Sequence, residues 1–60
     1  MNIPKEPNML LSFINMKLRD QYSSLTELVD DLDLDPQEIT GALDNAGIVY
    51  DENLNQLKFR

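Results

Sequence analysis

The 60-residue chain contains no cysteine, no histidine and no tryptophan. Without cysteine there is no disulfide to stabilise the fold and no thiol to act as a nucleophile. Without histidine the commonest general base and the usual zinc ligand are missing as well. A chain this short also offers little room for a substrate pocket. We therefore expect a protein that is not an enzyme and that binds no metal, cofactor or small molecule.

The sequence also lacks long hydrophobic runs and an excess of positive charge. No segment approaches the length of a membrane helix, and the N-terminus lacks the pattern of a secretory signal, so we expect a cytoplasmic protein without membrane contact. Eleven acidic residues against five basic ones give a net charge of −6. Such a surface repels phosphates, which makes nucleic acid an unfavourable partner. The length predicts one domain spanning residues 1–60.

Two adjacent helices are predicted in the centre of the chain. Ser24 and Glu27 form a capping box, which predicts a helix over residues 25–33. Asp35 as N-cap, followed by proline at the first helical position, predicts a second helix over residues 36–46. Gly47 follows as the residue that can end it in the left-handed conformation.

A further helix is predicted over residues 8–21, and it carries apolar residues on two sides. The first side is the expected core face, because its residues recur at intervals of three and four. It comprises Leu10, Leu11, Ile14, Leu18 and Tyr22. The second side carries Met9, Phe13 and Met16, where a simple amphipathic helix would be polar. Either the C-terminal hairpin or the N-terminal arm covers this second side, or another molecule does.

The C-terminal part is predicted to form a β-hairpin over residues 48–59. Two short β-prone runs flank a loop rich in Asp and Asn, which favour turns. The residues expected to point inward or across the strands are Ile48, Tyr50, Leu57 and Phe59. Tyr22 and Tyr50 are expected at the rim of the core with their hydroxyls in water.

Three helices followed by a hairpin predict a mainly α, α+β fold of the helix-turn-helix type. The segment SLTELVDDLDLDPQEITGALDNAGIVYD resembles the helix, turn, helix and strand of a winged-helix domain. The segments IPKEPNMLLSFINMKLRD, YSSLTEL and YDENLNQLKF resemble an uncharacterised bacterial family of short proteins, a domain-of-unknown-function family. This resemblance implies a winged-helix-like fold and a bacterial source, and it implies no activity.

The acidic residues Asp31, Asp33 and Asp35 alternate as the ligands of a calcium loop do. Such a loop requires glycine at its sixth position and glutamate at its twelfth. Counted from Asp31, those positions hold Pro36 and Ala42. A helix end and a helix cap explain these carboxylates better than a metal does.

Two functions are compatible with the predicted fold. DNA binding would use a recognition-helix face, and its side chains, Gln37, Thr40, Asp44 and Asn45, include groups that can bond to bases. That helix holds acids and no lysine or arginine, which argues against contacts with phosphates. The favoured function is a protein-interaction or self-association module whose surface is Met9, Phe13 and Met16, because methionine adapts to association surfaces.

Overall fold

The computed structural model describes residues 3–60. Three helices precede two strands: α1 (Pro7–Asp20), α2 (Leu25–Asp31), α3 (Pro36–Ala46), β1 (Ile48–Asp51) and β2 (Gln56–Phe59). The fold is therefore α+β, three helices followed by an antiparallel hairpin, as predicted. No helix in this part of the chain is both long and apolar enough to cross a bilayer.

The predicted N-cap side chains of the two central helices accept the expected hydrogen bonds. The Glu27 carboxylate accepts from the Ser23 hydroxyl at 2.7 Å, so of the predicted capping box the Ser24 half is present. The Ser24 hydroxyl accepts a hydrogen bond from the Glu27 N–H at 3.1 Å, and the Asp35 carboxylate accepts one from the Gln37 N–H at 2.9 Å. Gly47 ends α3 with a φ of 72°, in the left-handed region. These local signals fix where each helix starts and how α3 ends, because they satisfy backbone groups that have no partner within the helix.

Helix α2 ends at Asp31, two residues before the predicted end, and this corrects the prediction. Asp33 adopts a left-handed φ of 55°. Its N–H bonds to the Asp30 carbonyl at 3.2 Å, and the Leu34 N–H bonds to the Val29 carbonyl at 2.9 Å. These two bonds form a Schellman motif, with aspartate in the position that glycine usually holds.

The core lies between the helices and one face of the hairpin. On α1 the predicted face is largely confirmed, since Leu10, Ile14 and Leu18 are buried, while Leu11 and Tyr22 are half-buried. The buried residues from all elements are Leu10, Ile14, Leu18, Leu28, Val29, Ile39, Leu43, Ile48 and Leu57. The N-terminal arm adds Ile3, which packs against this cluster.

The strands pair with Ile48 opposite Phe59 and Tyr50 opposite Leu57. The four side chains therefore share one face, as the alternation predicts. Phe59 remains 46% exposed, so of the two expected arrangements, inward or across the strands, it has the second: it lies opposite Ile48 at the margin of the core. Alternation identifies the face of a strand, but it does not show how far along the strand the core extends.

Candidate interaction surfaces

The outer side of α1 carries the α1 strip, which we define as Met9, Phe13 and Met16. Met9 is 59% exposed and Met16 is 46% exposed, whereas Phe13 is half-buried against the core. About half of each methionine's surface thus remains in solvent in the described chain. The α1 strip therefore combines one anchored ring with two flexible thioethers in contact with solvent.

Charged side chains border this strip. The Lys17 ammonium lies 5.8 Å from the centre of the Phe13 ring, within the range of a cation–π contact. The Arg19 Nε donates to the Asp20 carboxylate at 2.9 Å, and this hydrogen bond lowers the pKa of Asp20. Both positive and negative groups therefore lie near the strip, whereas residues 27–38 hold acids and no lysine or arginine.

The proposed recognition face of α3 is exposed at all four positions, Gln37, Thr40, Asp44 and Asn45. The Thr40 hydroxyl donates to the Pro36 carbonyl at 2.9 Å within the same helix. Asp44 accepts a bond of 2.7 Å from the Arg60 guanidinium. Arg60 is therefore already paired with an acid of this face, and the sequence of α3 contains no lysine or arginine to place against a phosphate.

A groove of about 350 Å³ lies between α2 and α3, and we call it the α2–α3 groove. Asp30 and Asp33 stand at its edge, and neither forms an ion pair with any residue from 3 to 60. Two threonines, Thr26 and Thr40, also line it. Its apolar walls are Leu25, Val29, Leu34, Pro36 and Ile39.

The alternating acids of the sequence have separate surroundings. Asp31 accepts a hydrogen bond from the Tyr22 hydroxyl, which raises the pKa of that tyrosine. Asp35 caps α3, and Asp33 occupies the left-handed position after α2. Within residues 3–60, no group of three or more acidic side chains is arranged to hold a metal ion.

Two asparagines, which sequence reasoning did not single out, connect the hairpin to the helices. The Asn15 amide bonds to both main-chain groups of Leu57. The Asn55 amide donates to the carbonyls of Leu18 at 3.3 Å and Tyr22 at 2.9 Å, at the end of α1. An asparagine inside a helix is unfavourable unless it has such a partner, and this was the available signal for Asn15.

The prediction that the Tyr50 hydroxyl lies in water is wrong, because this hydroxyl is hydrogen-bonded within the protein. It donates to the Asn55 carbonyl oxygen at 2.7 Å and accepts from the Leu25 N–H at 3.3 Å. Tyr50 therefore joins the start of α2 to the hairpin. Because the Asn55 amide also bonds to α1, one polar network fixes three elements relative to each other.

Comparisons with known proteins assign the chain to a family but indicate no activity. No curated protein and no solved structure matches the sequence. The profile of one family, described as domain of unknown function (DUF4250), matches residues 4–57. This match includes all three helices and most of the hairpin. The chain therefore belongs to the family described as domain of unknown function DUF4250.

Proposed function

We propose that this protein is a bacterial, cytoplasmic interaction module that acts by binding and not by catalysis. Its partner in this proposal is a second copy of the chain, bound through the α1 strip. The observation that carries the proposal is the exposure of Met9 and Met16 on α1, at 59% and 46%. A domain of this size needs most of its apolar side chains for its own core, so two exposed methionines on one helix side favour a contact.

The scaffold in this proposal is winged-helix-like. Its support is the order of three helices and a hairpin, with only residues 32–35 between α2 and α3. In such a scaffold α3 would be the recognition helix. Its acidic character and the pairing of Asp44 with Arg60 favour a role other than DNA binding.

The sequence of α1 is complementary to itself in an antiparallel pairing. If two copies of α1 lie antiparallel with Met9 opposite Met16, the same register sets Glu6 opposite Arg19. A twofold contact uses the same patch on both copies, so each of these pairs forms twice.

Charge would otherwise oppose association, because each copy carries a net charge of −6. The α1 side is less acidic than α2 and α3, since Lys5, Lys17 and Arg19 accompany Glu6 and Asp20 in this part of the chain. Contact through this side keeps the acidic ends of α2 and α3 apart. We expect the dimer to persist at raised salt concentration because its central contacts are apolar.

Sedimentation velocity from micromolar to millimolar protein tests the proposal. We expect the wild type to shift toward the mass of a dimer, and Met9→Glu together with Met16→Glu to remain monomeric. Leu54→Glu is the matched control, because Leu54 is 66% exposed in the hairpin turn and outside α1. A wild type that stays monomeric throughout would refute self-association, and so would equal dissociation of the control.

Phe13→Glu and a DNA-binding assay separate the remaining explanations. If Phe13→Glu unfolds a protein that is always monomeric, the ring belongs to the core and the strip is not an interface.

A gel-shift assay at low salt with a duplex of mixed sequence tests the alternative that uses Gln37 and Asn45. Retardation that is lost on changing these two residues to alanine would favour DNA binding over our proposal.

A further inference from the structure

We infer that the α2–α3 groove is a second binding site, and that its ligand is a lysine- or arginine-bearing polypeptide segment with aliphatic side chains. The groove shares no residue with the α1 strip, so this inference does not depend on self-association. Its accessible apolar walls are Leu25, Leu34 and Pro36, and Asp30 and Asp33 also line it.

The shape and chemistry of the groove match a long basic side chain. The aliphatic stem of lysine or arginine packs on apolar surface while its charged head remains near water. In this groove the stem would lie on Leu25, Leu34 and Pro36, which keep exposed surface, and the head would reach Asp30 or Asp33. A volume of about 350 Å³ accommodates such a side chain and an aliphatic neighbour.

The electrostatics of α2 favour a cation at this place. Asp30 and Asp33 lie at the C-terminal end of the helix, where the helix dipole is already negative. The last turn of α2 contains no basic residue to balance them. Asp20, Asp44 and Asp51 each pair with a lysine or arginine in the described chain, whereas Asp30 and Asp33 are among the acids there that do not. The groove therefore combines partly exposed apolar walls with carboxylates that no described cation neutralises.

Removing both carboxylate charges of the groove should weaken the binding of a basic peptide without lowering the stability of the fold. Asp30→Asn and Asp33→Asn remove both charges, and asparagine tolerates the left-handed conformation at position 33. We expect the double variant to be at least as stable as the wild type, because it relieves repulsion at the helix end. We expect its affinity for a basic segment to fall about tenfold, the size expected from two exposed ion pairs.

Fluorescence anisotropy with short synthetic peptides is the test. The probe is a labelled peptide of alternating lysine and leucine, compared with one that has serine for leucine and one that has glutamate for lysine. We expect binding only of the lysine–leucine peptide. The matched protein control, Asp20→Asn with Glu52→Gln, removes two charges outside the groove and should leave the affinity within twofold of the wild type, a change below about 0.4 kcal/mol.

Three results would overturn the inference. The first is no binding of the lysine–leucine peptide at millimolar protein. The second is equal weakening by the groove variant and its charge control, which would show a response to net charge alone. The third is a set of NMR shift changes that falls on the α1 strip and spares Val29, Asp33 and Thr40.

Discussion

The side-chain amide of Asn15 pairs with the main chain of Leu57 as a neighbouring β-strand would. The Leu57 N–H donates to the Asn15 carbonyl oxygen at 2.7 Å, and the Asn15 amide nitrogen donates to the Leu57 carbonyl at 3.0 Å. The hairpin has only two strands, so the outer edge of β2 needs other partners. A residue of α1 thus closes the edge of the sheet and fixes the position of the hairpin on the helix.

Replacing Asn15 by alanine tests this role. Leu57 is only 1% exposed, so its N–H and C=O would lose their hydrogen-bond partners in a buried position. We expect the free energy of unfolding to fall by about 1–3 kcal/mol. Urea denaturation followed by circular dichroism measures it, with Ser12→Ala on the exposed side of α1 as control. Equal effects of the two changes would contradict the strand-like role of Asn15.

The hydroxyl of Tyr50 is predicted to matter more than that of Tyr22. Tyr50→Phe removes both the bond from Leu25 and the bond to Asn55, and we expect a loss of about 0.5–1.5 kcal/mol. Tyr22→Phe removes a single bond to the exposed Asp31 and should cost less. Thermal melting of both variants is the measurement. A larger effect at Tyr22 would show that the Tyr50 network is not what orders the three elements.

The sequence was sufficient for features that depend on neighbouring residues. The capping residues Ser24 and Asp35 marked the helix starts, and Gly47 marked the end of α3, because each acts within one turn of its own backbone. The apolar spacing of α1 likewise identified Leu10, Ile14 and Leu18 as core residues. These predictions are confirmed by the structure.

Features that depend on distant residues were not predictable from the sequence. Asn15 and Leu57 are 42 residues apart, and nothing in either neighbourhood indicates the other. The early end of α2 was missed because aspartate, not glycine, occupies the left-handed position at residue 33. The two candidate surfaces also differ in whether the sequence could reveal them. The α1 strip was visible as a helical pattern, whereas the α2–α3 groove exists only once two helices meet.

Truncation of Leu28 is expected to be among the most destabilising changes. Its side chain is fully buried, so Leu28→Ala removes apolar contacts and leaves a cavity in a small core. We expect a loss of about 2–5 kcal/mol, and a similar or smaller loss for Leu43→Ala, which retains slight exposure. Chemical denaturation gives both values. An unchanged midpoint for either variant would place that leucine outside the core.

The two glycines are expected to respond in opposite ways to alanine. Gly41 lies inside α3, and a Cβ there would meet no atom within 4 Å, so Gly41→Ala should stabilise by about 0.5–1 kcal/mol. Gly47 has a φ of 72°, so Gly47→Ala should destabilise by about 1–2 kcal/mol. Differential scanning calorimetry of the pair compares them directly. A loss of stability at position 41 would contradict the open space seen around it.

The carboxylate of Glu6 is expected to make the start of α1 sensitive to pH. It accepts hydrogen bonds from the Met9 N–H at 2.9 Å and the Asn8 N–H at 3.2 Å, and these bonds lower the pKa of Glu6 below its usual value. A carboxyl group whose pKa is lower in the folded state stabilises the fold above its unfolded pKa. That contribution is lost as the pH falls through the lowered folded pKa.

Glu6→Gln isolates this contribution, because glutamine keeps the size of the side chain without its charge. We expect the variant to melt below the wild type at neutral pH, and the difference between them to disappear as the pH falls below about 4, where free carboxyl groups take up protons. Glu52→Gln in the hairpin turn is the control, since Glu52 caps no helix. A difference that stays constant from neutral to acidic pH would show that the charge of Glu6 does not stabilise α1.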